Sequence, residues 1–302
     1  MKLIIRNPAS VFAAAAIIIL AYAGCSRNAA QPAAGNQAAV NPAQAIDYKR
    51  IISAAPSNTE IVIGLGLGDR LIAIDKYSRD IPGAPANLPL IDFFYPDTEA
   101  IIGMQPDLIL ANEINSYGVS DNPFSLLGNL GIKVVQVPTS TSIDGICSDI
   151  IFIADTLGAE ERGQAMVKSM KDEIAGIAAG ETNAQRKSVY FEVSSAPSMV
   201  SFGKGAYLDE MIDIAGGKNI FEDQNGWFSP SEEEIINRNP DIIFVLQYPG
   251  EDPVTEIKNR RAFETITAVK QNQIFPVDAN SASRPSQNIM TALRQMAKAI
   301  NR

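Results

Sequence analysis

The sequence predicts an α/β protein: two α/β lobes with parallel sheets, joined by a single long bridging α-helix. Three observations carry that expectation. A fourteen-residue pattern occurs twice, from Pro96 to Ile109 and from Pro230 to Ile243. Seven positions are identical: Pro96/Pro230, Glu99/Glu233, Ile101/Ile235, Ile102/Ile236, Pro106/Pro240, Asp107/Asp241 and Ile109/Ile243. Such a repeat in two halves of one chain points to two similar lobes. On both sides of the middle, short apolar runs alternate with helical stretches, the pattern of a parallel sheet covered on both faces. Between the halves, over 142–180, the hydrophobic period becomes helical throughout. The lobes are therefore expected over 47–141 and 181–302, with 142–180 as the helical linker.

Taken in order, Arg50-Ile51-Ile52-Ser53 reads as the opening strand. Ser57-Asn58-Thr59-Glu60 has capping-box spacing, so a helix is expected over 61–65, stopped by Gly66 and Gly68. A strand over 71–74 follows. The first repeat copy adds a helix over 98–104 and a buried strand over 108–111. A helix over 124–130 ends at Gly131, and a strand runs over 133–137. Ile143, Ile146, Ile150, Ile153 and Leu157 form one helical stripe; Cys147 lies on it and reads as a small buried hydrophobe. A second helix from 160 to about 179 would span about 30 Å, enough to bridge two lobes. In the second half come a strand over 188–193, a Ser/Pro loop over 194–198 and a helix over 207–215. The second repeat copy then brings a strand over 242–246. A strand over 274–277 and a closing helix over 286–300 complete the chain.

The two repeat glutamates have a local explanation. Asp97 and Ser231 read as N-caps, and Glu99 and Glu233 lie two residues further on, where the helix macrodipole favours a carboxylate by about 0.3–1 kcal/mol. Capping accounts for each glutamate singly. It does not account for the agreement between the lobes.

The beginning of the chain has a different character. Lys2 and Arg6 precede an apolar run, Val11 to Ala23, that is short for a bilayer span. Tyr22-Ala23-Gly24-Cys25 resembles a bacterial lipobox, in which a signal (1–24) is cut before a cysteine that becomes diacylated; Tyr22 stands where Leu is usual. Residues 25–46 are Ala, Gln, Asn, Pro and Gly with little apolar bulk, as expected of a lipidated Cys25 on a flexible tether. A lipid anchor and tether would hold the folded body at a membrane. Lys2 and Arg6 are the only charges in the signal, so its removal takes the net charge from −9 to −11. That balance argues against a nucleic-acid partner. With two cysteines in all, one of them Cys25, a disulfide framework is excluded.

The chain contains no histidine. Ser-His-Asp and Cys-His catalysis, imidazole-ligated zinc and histidine-ligated haem are thereby removed. Gly64-Leu65-Gly66-Leu67-Gly68 closes a helix rather than opening one, so it is no phosphate cradle. The loops that follow strands are more informative, because ligands of open α/β sheets sit beyond the carboxyl ends of strands. They carry Lys76-Tyr77, Phe93-Phe94-Tyr95, Ser194 to Ser198, Gly203 to Tyr207, Trp227-Phe228 and Arg284-Pro285. Aromatic rings with a few polar and basic groups suit a large, partly aromatic ligand. Packing is the preferred role for Phe94 and Phe228, and an arginine such as Arg284 suits a carboxylate or an anionic chelate.

These motifs resemble one family. Arg50-Ile-Ile-Ser-Ala-Ala-Pro56-Ser57-Asn58-Thr59-Glu60, Gly64 to Asp69, Pro106-Asp107-Leu-Ile-Leu, Ala215-Gly-Gly-Lys-Asn219-Ile, Pro240-Asp-Ile-Ile and Ser283-Arg284-Pro285 are similar to cluster A (class III) periplasmic binding proteins. The resemblance covers roughly 49–301. It implies a monomeric solute receptor of an ABC importer for ferric siderophores, vitamin B12 or haem, with no cofactor of its own and no bond made or broken. It implies a partner, the permease dimer with its ATPase, whose arginines receive one glutamate from each lobe, here Glu99 and Glu233. Against vitamin B12 binders, Tyr77, Phe93 (where they have Trp), Trp227 and Arg284 fall at ligand-contacting positions. Ser57 and Tyr95 complete the expected ligand set. Tyr95-Pro96-Asp97 and Pro138-Thr139-Ser140 look more like iron-complex binders, which favours a ferric siderophore, with a corrinoid as the alternative. Direct haem ligation would need a tyrosine such as Tyr77, Tyr95 or Tyr207, and is the least favoured. An enzyme acting on the chelate would need Ser57 or Ser195 as nucleophile, with no histidine to serve as base. A surface adhesin on the same scaffold would bind no small molecule.

Overall fold

The structure, a computed structural model, describes residues 47–92, 94–113, 124–180, 185–195 and 197–302. The expected signal, Cys25, the tether and Phe93 lie outside the described residues. No helix among the described residues is long and apolar enough to cross a membrane.

The first sheet comprises β1 (Ile51–Ser53), β2 (Leu71–Asp75), β3 (Leu90–Ile91), β4 (Leu108–Asn112) and β5 (Lys133–Val137), in the order β3-β2-β1-β4-β5. All its neighbours are parallel, with Ile51 beside Leu108 and Ile52 beside Ile109. Helices α1 (Pro56–Gly64), α2 (Thr98–Gly103) and α3 (Ser125–Asn129) belong to this lobe. The linker is α4 (Ile143–Thr156) and α5 (Glu160–Ala179).

The second lobe contains β6 (Lys187–Glu192), β7 (Ser201–Phe202), α6 (Tyr207–Ile214), β8 (Gly217–Asn219), β9 (Trp227–Phe228), α7 (Glu232–Arg238) and β10 (Ile242–Gln247). It continues with α8 (Pro253–Asn259), α9 (Thr267–Lys270), β11 (Ile274–Asp278), α10 (Ala279–Ser283) and α11 (Ile289–Ile300). Its parallel sheet has the order β11-β10-β6-β8, and β7 with β9 forms a separate antiparallel ribbon. Pro276 lies on β11, an edge strand, where its missing N–H leaves no ladder bond open.

The two-residue alternation of the strands sorts their side chains into distinct cores. Ile52, Ala73, Ile109 and Ala111 face a cluster private to the first lobe, with Ile101 of α2 and Leu127 of α3. Tyr190, Ile243 and Val245 face one private to the second, with Ile235 of α7 and Phe263. The opposite faces (Ile51, Leu108 and Leu110; Val189, Phe191, Ile242 and Phe244) belong to a single cluster that runs through both lobes by way of α4 and α11. The lobes are thus joined by more than one helix.

Helix α5 still bridges as its length predicts. Near its start Arg162 donates to the Leu65 carbonyl at 2.9 Å, and further along Glu173 pairs with Arg294 of α11 at 2.5 Å. Gly163 permits the approach to α4: a Cβ there would lie 2.4 Å from that of Ala154.

Several expectations need correction. The capping box over 57–60 does not form. Pro56 takes the first helical turn, so α1 begins earlier, its N-cap is Ala55, and no side chain caps it. Thr59 instead donates to Ser53 Oγ at 2.7 Å, and Glu60 reaches the other lobe. The short strands β3 and β8 and the helices α8 and α9 were not anticipated, although Asp252 before Pro253 is a legible helix start: its carboxylate accepts from the Thr255 N–H at 3.1 Å.

Candidate functional site

The repeated pattern is resolved into two jobs. Its Pro-Asp end is architectural in both lobes. Asp107 accepts the N–H groups of Lys49 (2.7 Å) and Arg50 (3.0 Å) just before β1. Asp241 likewise accepts the Ser188 N–H at 2.9 Å on β6. Each carboxylate pins the start of the neighbouring strand. Ile101 and Ile235 are fully buried anchors in the private cores.

The glutamates do something else. Asp97 accepts from the Ala100 N–H (3.0 Å) and Ser231 from the Glu234 N–H (3.1 Å), so both caps form as expected. Glu99 and Glu233 then occupy the second position of α2 and α7, both exposed. Among the described residues no hydrogen bond or ion pair engages either carboxylate, whereas the adjacent Glu234 binds Arg238 at 3.0 Å. Matched, exposed and chemically idle in both lobes, they are available to an outside partner.

The carboxyl ends of the two sheets meet at a polar junction. Arg284, after α10, places Nη1 3.1 Å from Glu60 of α1, and its Nη2 donates to the Tyr77 carbonyl at 2.9 Å. The Ser286 hydroxyl donates to the other Glu60 oxygen, and Gln287 Nε2 donates to the Glu60 carbonyl at 2.9 Å. Glu60 is 3% and Arg284 12% exposed. Burial raises the Glu60 carboxyl above its ordinary pKa, opposed by Ser286 and Arg284. Alongside runs a hydroxyl chain: Ser78 donates to the Asp75 carboxylate, and its oxygen lies 3.1 Å from the Thr59 hydroxyl. Burial pushes Asp75 up to about 6, against the pull of Ser78, the Tyr77 N–H and Arg284.

Arg284 is thus engaged by Glu60 and the Tyr77 carbonyl. Ser57 is 7% exposed in the first turn of α1. Tyr77 is half-buried with the Lys76 ammonium 5.1 Å from its ring centre, and Lys76 itself binds Asp92 at 2.6 Å. Asp92 shapes the next loop by accepting the N–H groups of Phe94 (2.9 Å) and Tyr95 (3.1 Å). Tyr95 is consequently 80% and Phe94 42% exposed. Trp227 is half-buried on β9, edge-on to Phe202 at 5.5 Å. Phe228 does pack, edge-on to Phe221 at 5.0 Å.

One residue was missed. Tyr248, just past β10, is 42% exposed at the carboxyl edge of the second sheet. A tyrosine ending a buried strand and followed by Pro249-Gly250 is the signal that could have found it. Among the described residues no group of three or more His, Cys, Asp or Glu side chains is placed to hold a metal ion.

Comparison with known proteins agrees with this architecture. A family model described as periplasmic binding protein matches residues 51–280. An uncharacterized ABC transporter substrate-binding lipoprotein of Bacillus subtilis (strain 168), YvrC, is 30% identical over 258 residues, covering 83% of this chain and 80% of that one. A vitamin B12-binding protein of Yersinia pestis (strain Pestoides F) is 31% identical over 206 residues, covering 68% and 71%. Among solved structures, a possible iron-binding (periplasmic solute-binding) protein of Staphylococcus epidermidis ATCC 12228 superimposes with a TM-score of 0.75 at 32% identity, over 85% of this chain and all of that one. Two parallel-sheet lobes, a bridging helix, a junction at the strands' carboxyl ends and this likeness over most of the chain have one reading: the protein belongs to the periplasmic binding protein family, a family of solute receptors and not of enzymes.

Proposed function

We propose that this protein is the substrate-binding lipoprotein of an ABC importer, capturing a metal chelate between its lobes and delivering it to the permease dimer with its ATPase. The observation that carries the reading is the matched pair Glu99 and Glu233. Each is exposed at the same position of a capped helix, and each helix packs on the private face of its own lobe. Two equivalent carboxylates, one per lobe, suit a partner of two equivalent subunits, where charge-assisted hydrogen bonds to arginine give register as well as affinity.

The ligand class is supported by the relatives, whose names cite vitamin B12 and iron, and by exposed aromatic rings at the carboxyl ends of both sheets: Phe94, Tyr95 and Tyr248. Ferric siderophores and corrinoids arrive with their metal already chelated, so the protein needs no cofactor or metal ligands of its own. Lipidation of Cys25 would tether the receptor as a monomer at the outer side of a membrane, in keeping with the lipoprotein from Bacillus subtilis.

Fluorescence of Trp227, the only tryptophan, together with calorimetry, tests the reading on the full chain purified in detergent. Saturable binding of a ferric siderophore, a corrinoid or haem is expected. If none of the three binds, the receptor reading is wrong.

A further inference from the structure

Apart from Asp107 and Asp241, which pin strand starts, the charged residues at the strand ends are sorted by sign. At the amino ends stand cations: Arg50 before β1, Arg70 before β2, Lys133 opening β5 and Lys187 opening β6. At the carboxyl ends stand acids: Asp75 ending β2, Asp92 after β3, Glu113 after β4, Glu192 ending β6 and Asp278 ending β11. Every strand of both main sheets is parallel, so all the acids gather on the side where the lobes meet. Among the described residues, the loops leaving β3, β4, β5, β6 and β10 hold no lysine or arginine.

The cations that do reach this side are already bound. Lys76 is on Asp92 at 2.6 Å, and Arg284 is on Glu60 at 3.1 Å. Arg260 is 7% exposed and clamps Glu192 at 2.7 and 2.9 Å while also binding Glu256. Arg79, exposed beside Asp80, is the exception among the described residues of these ends. What remains open to a ligand is aromatic (Tyr95, Tyr248) or acidic (Glu113, Glu251). A shallow groove at the β8 edge, about 450 Å³, offers no alternative anion site, since Arg186, Lys204 and Lys218 share it with Asp209, Glu210, Asp213 and Glu222, Arg186 being paired with Asp213 and Lys218 with Glu222.

We propose that the chelate carries no net negative charge and is held through ring faces and hydrogen bonds, not ion pairs. The inference rests on the receptor reading above. An anionic chelate would meet the exposed carboxylates of Glu113 and Glu251 and find, among the described residues, no unpaired, desolvated cation to offset its lost hydration. An uncharged or cationic complex pays neither cost, and a cation gains from the ring faces.

The test is a set of calorimetric and Trp227 titrations of the full chain in detergent. The probes are cyanocobalamin and ferrichrome as uncharged chelates, ferrioxamine B as a cation, and ferric enterobactin and haemin as anions. At least one of the first three should bind about tenfold or more tightly than either anion, a difference of about 1.4 kcal/mol. The affinity of an uncharged winner should change less than about twofold between roughly 50 and 500 mM salt. Tightest binding by ferric enterobactin or haemin overturns this inference and leaves the receptor reading standing, and loss of that binding in Arg79→Ala would name the cation responsible. Failure of all five overturns both.

Discussion

At the scale of single residues, Glu60 and Arg284 show how a motif residue changes meaning when its partner is known. Both lie inside stretches that resemble the family, yet 224 positions separate them in the chain, and nothing in the sequence couples them. A buried pair is weak evidence of net stability, but removing one member leaves an uncompensated charge, which costs about 3–5 kcal/mol. Glu60→Ala should therefore lower the stability measured by urea unfolding by that amount, and Arg284→Ala should do much the same. Exchanging both for methionine should recover most of the loss, because no buried charge is then stranded.

Asp149 of α4 gives a pH signature. It is 5% exposed with the Ser140 hydroxyl donating to it at 2.5 Å. Burial pushes it up to about 6, aided by Glu113 and opposed by Ser140. A raised carboxyl binds its proton more tightly in the folded state. Its contribution is therefore fully favourable below the ordinary value near 3.8 and is lost as the pH rises through about 6. The loss is on the order of 2–3 kcal/mol. Asp149→Asn should raise the melting temperature at pH 7.5 and flatten its dependence between pH 4 and 6, as followed by differential scanning calorimetry. An unchanged pH profile would place the titration elsewhere.

At the scale of elements, α2 and α7 separate stability from docking. Asp97→Ala and Ser231→Ala remove side-chain caps and should each cost about 1 kcal/mol in thermal unfolding. Glu99→Ala with Glu233→Ala should leave ligand affinity intact and cripple uptake in cells carrying the cognate permease. Normal uptake by that double variant would reduce the repeat to architecture.

Most elements were legible in the sequence. The strands over 133–137 and 242–246 announce themselves by apolar runs, and α5 by an unbroken helical period. Where reading failed, a local rule met a competing one. Ser57-x-x-Glu60 satisfies capping-box spacing, but Pro56 is better placed to start the helix, which turns Ser57 inward and frees Glu60 for the other lobe. β8 is three residues containing one glycine, too short to carry a period. The site was legible in part. The loops could be picked because they follow strands, and the acids at strand ends are plain in the sequence. That those ends share one side of the molecule required the sheet topology, and so Tyr248 and the charge sorting went unseen.

At the scale of the whole molecule, α5, the polar junction around Glu60 and the shared apolar cluster act in parallel. Bending the lobes apart would have to strain all three, so little hinge motion is available. Small-angle scattering with and without a saturating chelate should give the same radius of gyration within error.

The shared cluster also bears on how a duplicated chain folds. Each sheet has one face that its own lobe can cover and one face whose cover comes partly from beyond it. A half of the chain made alone would present a bare apolar sheet face and aggregate or stay molten, so duplication here has produced interdependence instead of two autonomous folding units. The intact protein should accordingly unfold in one calorimetric transition, with calorimetric and van't Hoff enthalpies equal.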